Sequence, residues 1–211
     1  DCLWRDMILN ADSPIWSIRM EHASTEKKPE ILVFAGPNGS GKTTVTRLAT
    51  LVGVYVNADE VKNALNCSAL EAAQIAEKQR ETLLSERANF TFETVLSTDR
   101  NLLLLKRAKE SGYFVRCVYV LTDNASINID RVHIRHCCGG HDVPEDKIVC
   151  RYEKALKLIP ELGPVCDIMH IYDNTIEPFR IFKKRKDIYM YWENPFWNRS
   201  RIEDLTGVTL K

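Results

Sequence analysis

Ile31-Leu32-Val33-Phe34-Ala35 runs directly into Gly36-Pro37-Asn38-Gly39-Ser40-Gly41-Lys42-Thr43-Thr44, and this junction decides the fold. Five consecutive apolar residues read as a short strand buried on both faces. The residues after them fit G-x-x-x-x-G-K-[ST]. Glycines let a backbone turn tightly and bring its N–H groups close to phosphate oxygens. A helix opening at Lys42 adds the partial positive charge of its N-terminus. Lys42 then reaches the β and γ phosphates, and the Thr43 hydroxyl becomes a Mg²⁺ ligand. Gly36 to Thr44 is thus the expected binding segment for a nucleoside triphosphate. The same cradle serves switches, motors and kinases, so the reaction has to be read elsewhere.

Outward from the cradle the chain alternates. Strand-like runs at Val54–Asn57, Phe90–Val95, Tyr113–Leu121 and Val165–Tyr172 alternate with helical segments at Lys42–Val52, Ala69–Ala88, Asp99–Glu110, Ala125–His136 and Pro144–Leu162. This predicts an α/β three-layer sandwich with a mostly parallel five-stranded central sheet. Phe179–Phe182 and Ile188–Tyr191 read as a terminal hairpin, with Lys183-Lys184-Arg185-Lys186 as its solvated tip. Trp192, Phe196 and Trp197 read as a C-terminal core clasp. Residues 1–29 are set apart as an extension or linker without assigned function. Residues 30–211 are expected to form one domain.

Composition narrows the partners. Among 211 residues, 29 are Lys or Arg and 29 are Asp or Glu, which leaves no basic excess for general nucleic-acid binding. No apolar run approaches the roughly 20 residues of a membrane helix, and no secretory leader is visible. The seven cysteines form no C-x-x-C pair, which suits reduced thiols in the cytoplasm.

Two carboxylates stand at strand ends, where ligands gather in open α/β sheets. Asp59 follows the second strand and is placed to accept the proton of an attacking hydroxyl or to cap the helix at Glu60. Glu93, followed by Thr94, ends the third strand. It supports Mg²⁺ and its waters, binds substrate hydroxyls, or is simply solvated. Arg131 and Arg135 share one helix face. Gly139-Gly140 break that helix, Pro144 restarts it at the N1 position, and Arg151 sits at the border of the next apolar stripe. A helical lid around 131–151 carrying arginines suits phosphoryl oxygens, because guanidinium spreads its donors in a planar fork. Ion pairs with Glu145, Asp146 or Glu153 explain the same arginines differently. The His133, His136, Cys137, Cys138, His141 and Cys150 group lacks zinc-ligand spacing and reads as ordinary lid residues.

The ordered set ILVFAGPNGSGKTT, VNADE, FTFETVLS, GYFVRCVYVLT, RVHIRHCCGGHDVPEDKIVCRYEKAL and IYDNT resembles the zeta-toxin family of P-loop kinases, most closely its compact branch. The match runs from about Ile31 to about Phe182. The resemblance implies ATP-dependent phosphorylation of a hydroxyl, with UDP-N-acetylglucosamine as the acceptor of characterised members, which act as toxins paired with small helical antitoxins. It implies that Lys42 and Thr43 hold ATP·Mg²⁺ and that Asp59 is the base. Glu93 and Thr94 would face the substrate, and Arg135 and Arg151 would stabilise the transferring phosphoryl group. Two other readings stay open: a polynucleotide 5′-kinase using the basic Lys183–Lys186 run with Tyr189, Tyr191 and Trp192, and a non-catalytic ATP-dependent binding module.

Overall fold

The structure, a computed structural model, describes residues 28–138 and 143–210. The extension up to Lys27, including Cys2, and the Gly139-Gly140 break with His141 lie outside the described residues.

Strand β1 (Glu30–Ala35) occupies the middle of the sheet because Ile31 to Ala35 are all buried. It pairs in parallel with β3 (Phe90–Thr94) on one side and β4 (Phe114–Leu121) on the other. The short β2 (Val54–Val56) adds to β3, and β5 (Ile168–Asp173) adds to β4, again in parallel. Among the described residues the sheet order is β2-β3-β1-β4-β5-β6-β7, seven strands rather than five. The expected hairpin, β6 (Phe179–Arg185) with β7 (Ile188–Tyr191), is antiparallel and extends the sheet past β5. Tyr172 pairs with Arg180 while Ile171 pairs with Phe182, so Ile181 is the extra residue of a bulge. That kink lets the consecutive Ile181 and Phe182 both be buried.

Among the described residues the helices are α1 (Lys42–Leu48), α2 (Ala58–Leu65), α3 (Ala69–Ser85), α4 (Asp99–Glu110), α5 (Ala125–Cys137), α6 (Glu145–Lys157), α7 (Ile159–Val165) and α8 (Arg199–Thr206). Ser68 and Glu71 form a capping box at the start of α3. Asn57 caps α2, which the sequence reading placed only at Glu60 with Asp59 as its cap. None of its residues is buried, although Ala58 packs in part against the core. The expected Pro144–Leu162 helix is two helices, with Leu158 between them. Pro144 is the N-cap of α6, not its first helical residue, because its ψ of 139° is extended.

The larger core joins one sheet face to residues such as Leu102, Leu105, Ile159, Leu162 and Ile202 of α4, α7 and α8. A smaller one packs Leu32, Phe34, Val118, Val120 and Tyr172 against Val45 of α1. Trp197 is buried in the larger core with Phe196 packed against it, whereas Trp192 lies under the Arg180 guanidinium, 4.4 Å from its ring centre. The basic run is not a solvated tip. β6 continues through Arg185, the turn is Lys186-Asp187, and Lys186 takes the left-handed φ of 54°. Lys184 is buried and donates to the Gly163 and Cys166 carbonyls at 2.8 and 2.5 Å, closing the end of α7.

His170 on β5 is buried beside Arg180, Lys183 and Arg116. Burial, then those three cations, pushes its imidazole down to about 3 from 6.5. The unfolded chain therefore binds the proton first. His170 contributes stability that is fully present above pH 6.5 and is lost as pH falls towards about 3. Urea unfolding should show a loss of about 2 kcal/mol between pH 7 and pH 5 from this group. His170→Gln should remove most of that slope, and an unchanged slope would refute the assignment.

Candidate functional site

The phosphate loop hangs from the end of β1, where the Gly36 N–H donates to the Thr94 carbonyl at 3.2 Å. Two asparagines hold it in shape. Asn128 Nδ2 donates to the Asn38 carbonyl at 2.6 Å, and Asn174 Nδ2 donates to the Ser40 carbonyl at 2.8 Å. Both sit so close that side chains are excluded from the loop. A Cβ on Gly39 would lie 2.5 Å from the Asn128 carbonyl oxygen, and one on Gly41 would lie 2.4 Å from Asn174 Nδ2. Gly39 and Gly41 also take φ of 77° and 100°, where side chains are strained. Gly41 is the N-cap of α1 and offers no side chain to its first N–H groups, which leaves them available to an anion.

A cleft of about 460 Å³ opens above the loop. Asn38, Gly39, Gly41, Lys42, Thr43 and Thr44 line it. Gly36, Pro37 and Ser40 do not. They form the underside of the loop, where Ser40 is fully buried and the Pro37 carbonyl accepts from Lys42 Nζ at 2.8 Å. Burial pushes the Lys42 ammonium down to about 8, with Glu93 and Asp59 opposing and Arg135 reinforcing the shift.

Glu93 and Asp59 form the acidic wall. Glu93 Oε2 accepts from the Thr43 hydroxyl at 3.1 Å. This pairs a hydroxyl and a carboxylate beside the phosphate loop, the hard oxygen donors that suit Mg²⁺. Glu93 Oε1 accepts from the Tyr55 hydroxyl at 2.5 Å. Asp59 lies in the first turn of α2, exposed to the cleft. The capping alternative for Asp59 fails. Asn57 is the cap, and its Oδ1 accepts from the Asp59 N–H at 2.8 Å. The Thr94 side chain lines the cleft, but its hydroxyl accepts from the Leu96 N–H and from Asn101 Nδ2 at 2.9 and 2.8 Å. It fastens the start of α4 rather than standing free for a substrate.

Arg131 and Arg135 of α5 form the opposite wall. Arg131 donates to the Thr175 carbonyl at 3.1 Å, and burial lowers its pKa against the pull of Asp173. Arg151 does not line the cleft. The Tyr152 hydroxyl bonds the Thr122 carbonyl at 2.7 Å and fixes the rotation of α6, with Arg151 about 100° around the helix. The arginine pair at the cleft is therefore 131 and 135, not 135 and 151. The i, i+4 spacing already held that signal. Tyr55, Asn128 and Asn174 were missed as site residues, since nothing local marks a tyrosine in a three-residue strand, one asparagine on α5 and one after β5 as neighbours of the cradle.

The profile of the Zeta toxin family matches residues 17–187. An uncharacterized protein of Haemophilus influenzae is 27% identical over 127 residues, 57% of this chain and 91% of its own. The crystal structure of AvrRxo1-ORF1:-ORF2 with ATP superposes with a TM-score of 0.59 at 14% identity, over 80% of this chain and 62% of that one. A structure of the PezAT chromosomal toxin-antitoxin system of Streptococcus pneumoniae gives 0.55 at 16% identity, over 74% of this chain and 73% of that one. At these identities the likeness is one of fold, and this chain spans about 62% of the AvrRxo1 chain. Among the described residues no helix is long and apolar enough to cross a membrane.

The depressed Lys42 ammonium sets a pH dependence for nucleotide binding. Below about 8 the free site already carries its proton. Above it, binding to phosphate must take up a proton, and affinity should weaken up to about tenfold per pH unit. Calorimetric titration with ATP from pH 7 to pH 9.5 should show this break in the wild type and a flat profile in Lys42→Arg. The same profile in both would remove Lys42 from the phosphate contacts.

Proposed function

The chain belongs to the zeta toxin family of P-loop kinases, and we propose that its cleft transfers the γ-phosphoryl group of ATP to a hydroxyl of a small molecule. The observation that carries this reading is the division of one cleft into a cationic and an acidic wall. Lys42, Arg131 and Arg135 stand on the phosphate side, and Asp59 and Glu93 stand at the ends of the neighbouring strands β2 and β3.

Phosphoryl transfer asks for positioning and charge neutralisation more than for covalent chemistry. The loop N–H groups and Lys42 hold the β and γ phosphates. Arg131 and Arg135 lie across the cleft, where their guanidinium groups neutralise the charge that spreads over the transferring oxygens. Thr43 and Glu93 are the residues that would hold Mg²⁺, which would offset the negative charge of the phosphates. Asp59 accepts the proton of the attacking hydroxyl. It lies in the first turn of α2 facing the cleft, and the cap of that helix is supplied by Asn57 instead.

The family resemblance makes UDP-N-acetylglucosamine the first acceptor to test, followed by smaller sugars and nucleosides. PezAT is a toxin-antitoxin system. By that likeness we propose a toxin role for this chain, with a small helical antitoxin as its partner.

Mass spectrometry after incubation with ATP·Mg²⁺ and each acceptor tests the reaction. Lys42→Ala should fold and show no transfer, and wild-type turnover in this variant would sink the site. Asp59→Asn should lose about 10²–10⁴ in rate at unchanged ATP affinity. Asp59→Ala should lose as much with only a small fall in melting temperature, whereas Asn57→Ala should cost about 1 kcal/mol of stability through the lost cap. Near-normal transfer by Asp59→Asn would pass the role of base to Glu93. Arg135→Ala should reduce turnover by about 10³ or more.

A further inference from the structure

Tyr55 has no part in the transfer described above, yet it joins the two carboxylate-bearing elements. It sits at the centre of β2, half-buried, opposite Thr91 of β3. Its hydroxyl donates to Glu93 Oε1 at 2.5 Å and accepts from Asn57 Nδ2 at 2.8 Å. The other Glu93 oxygen accepts from Thr43 at 3.1 Å. The other end of the Asn57 amide accepts from the Asp59 N–H at 2.8 Å. The hydrogen bonds run in one direction from Asn57 through the phenol to the carboxylate, so each group has a fixed donor or acceptor role.

The alternative for Glu93 is close at hand. Lys42 lines the same cleft as Glu93. A carboxylate free to rotate would be drawn to that cation and away from Thr43. The Tyr55 hydroxyl occupies one oxygen and leaves the other directed at Thr43.

We propose that Tyr55 is a positioning residue that holds Glu93 in the orientation required for the divalent cation and, through Asn57, fixes that carboxylate relative to the helix carrying Asp59. This rests on the reading of Thr43 and Glu93 as the metal-holding pair. Phenylalanine fills the same place in β2, so the hydroxyl can be removed without opening a cavity. Groups that orient a metal ligand typically contribute about 10–100-fold in metal affinity.

The test uses Mn²⁺ as the probe and needs no turnover. Electron paramagnetic resonance measures free Mn²⁺ over the complex of the protein with ADP, for the wild type, Tyr55→Phe and Glu93→Gln. ADP affinity in the presence of a chelator and the melting temperature are measured alongside. Tyr55→Phe should weaken Mn²⁺ binding by about 10–100-fold while keeping ADP affinity without metal. If Glu93→Gln loses Mn²⁺ and Tyr55→Phe binds it as the wild type does, Tyr55 serves stability alone and the inference is overturned. If Glu93→Gln also binds Mn²⁺ like the wild type, the metal reading itself falls, and this one with it.

Discussion

The close approach of Asn128 and Asn174 to the phosphate loop is the constraint from which the rest of the site follows. The loop carbonyls at Asn38 and Ser40 are each paired to a side-chain amide, and no side chain fits at Gly39 or Gly41. Asn128 belongs to α5 and Asn174 follows β5, so two elements distant in sequence are built against the same nine residues. Asn174 is itself tied to the sheet, its N–H donating to the Leu121 carbonyl at 2.8 Å. An amide bonded to a buried carbonyl is costly to remove, because the carbonyl then loses its partner. The loop is thus shaped before any phosphate arrives, and binding does not have to order it.

The same contact sets the register of α5 over the cleft. Asn128, Arg131 and Arg135 are spaced i, i+3 and i+7 and fall on one helix face. Fixing the first of them against the loop places the other two one and two turns further along the cleft wall. The root of the helix is held from three sides. The Thr122 hydroxyl donates to Asn128 Oδ1, Tyr152 of α6 donates to the Thr122 carbonyl, and Arg201 of α8 pairs with Asp123. The Arg201 guanidinium also lies 4.0 Å from the Trp197 ring centre. A C-terminal aromatic segment that touches no part of the cleft therefore bears on where the arginines stand.

Legibility from sequence followed the range of the interactions. The β1–loop–α1 unit was plain because its chemistry is contiguous, nine residues whose types and order each have a local cause. The alternation of strands and helices followed from apolar runs, and α4 was bounded correctly because its ends carry their own signals, Asp99 in the first turn and Ser111-Gly112 beyond the last. Helix α2 was legible only in part: the helix at Glu60 was read with Asp59 as its cap, whereas it runs from Ala58 to Leu65 and Asn57 caps it. The Lys183–Lys186 run misled because charge suggested solvent, while Lys184 is held by two main-chain carbonyls that only the folded chain brings to it. The Arg151 placement failed for a similar reason. A helical wheel gives the angle of a residue on its own helix, but the rotation of α6 is set by the bond from Tyr152 to Thr122.

The two walls of the cleft have different origins, and this bears on how such a site changes its acceptor. The phosphate wall depends on the loop, on α5 and on the residue after β5, all bound to one another through main-chain carbonyls. A change in any of them disturbs the others. The acidic wall comes from the ends of β2 and β3, adjacent parallel strands whose separation is about 4.8 Å in any sheet. Its side chains are joined to one another by side-chain hydrogen bonds through Tyr55 and Asn57. Beyond Asp59 that wall continues into α2, which has no buried residue. Substitutions on the outer face of α2 therefore meet little packing resistance and leave the phosphate loop untouched. The acceptor side can vary while the nucleotide side stays fixed, which is the physical form of the rule that a phosphate cradle does not by itself define a substrate.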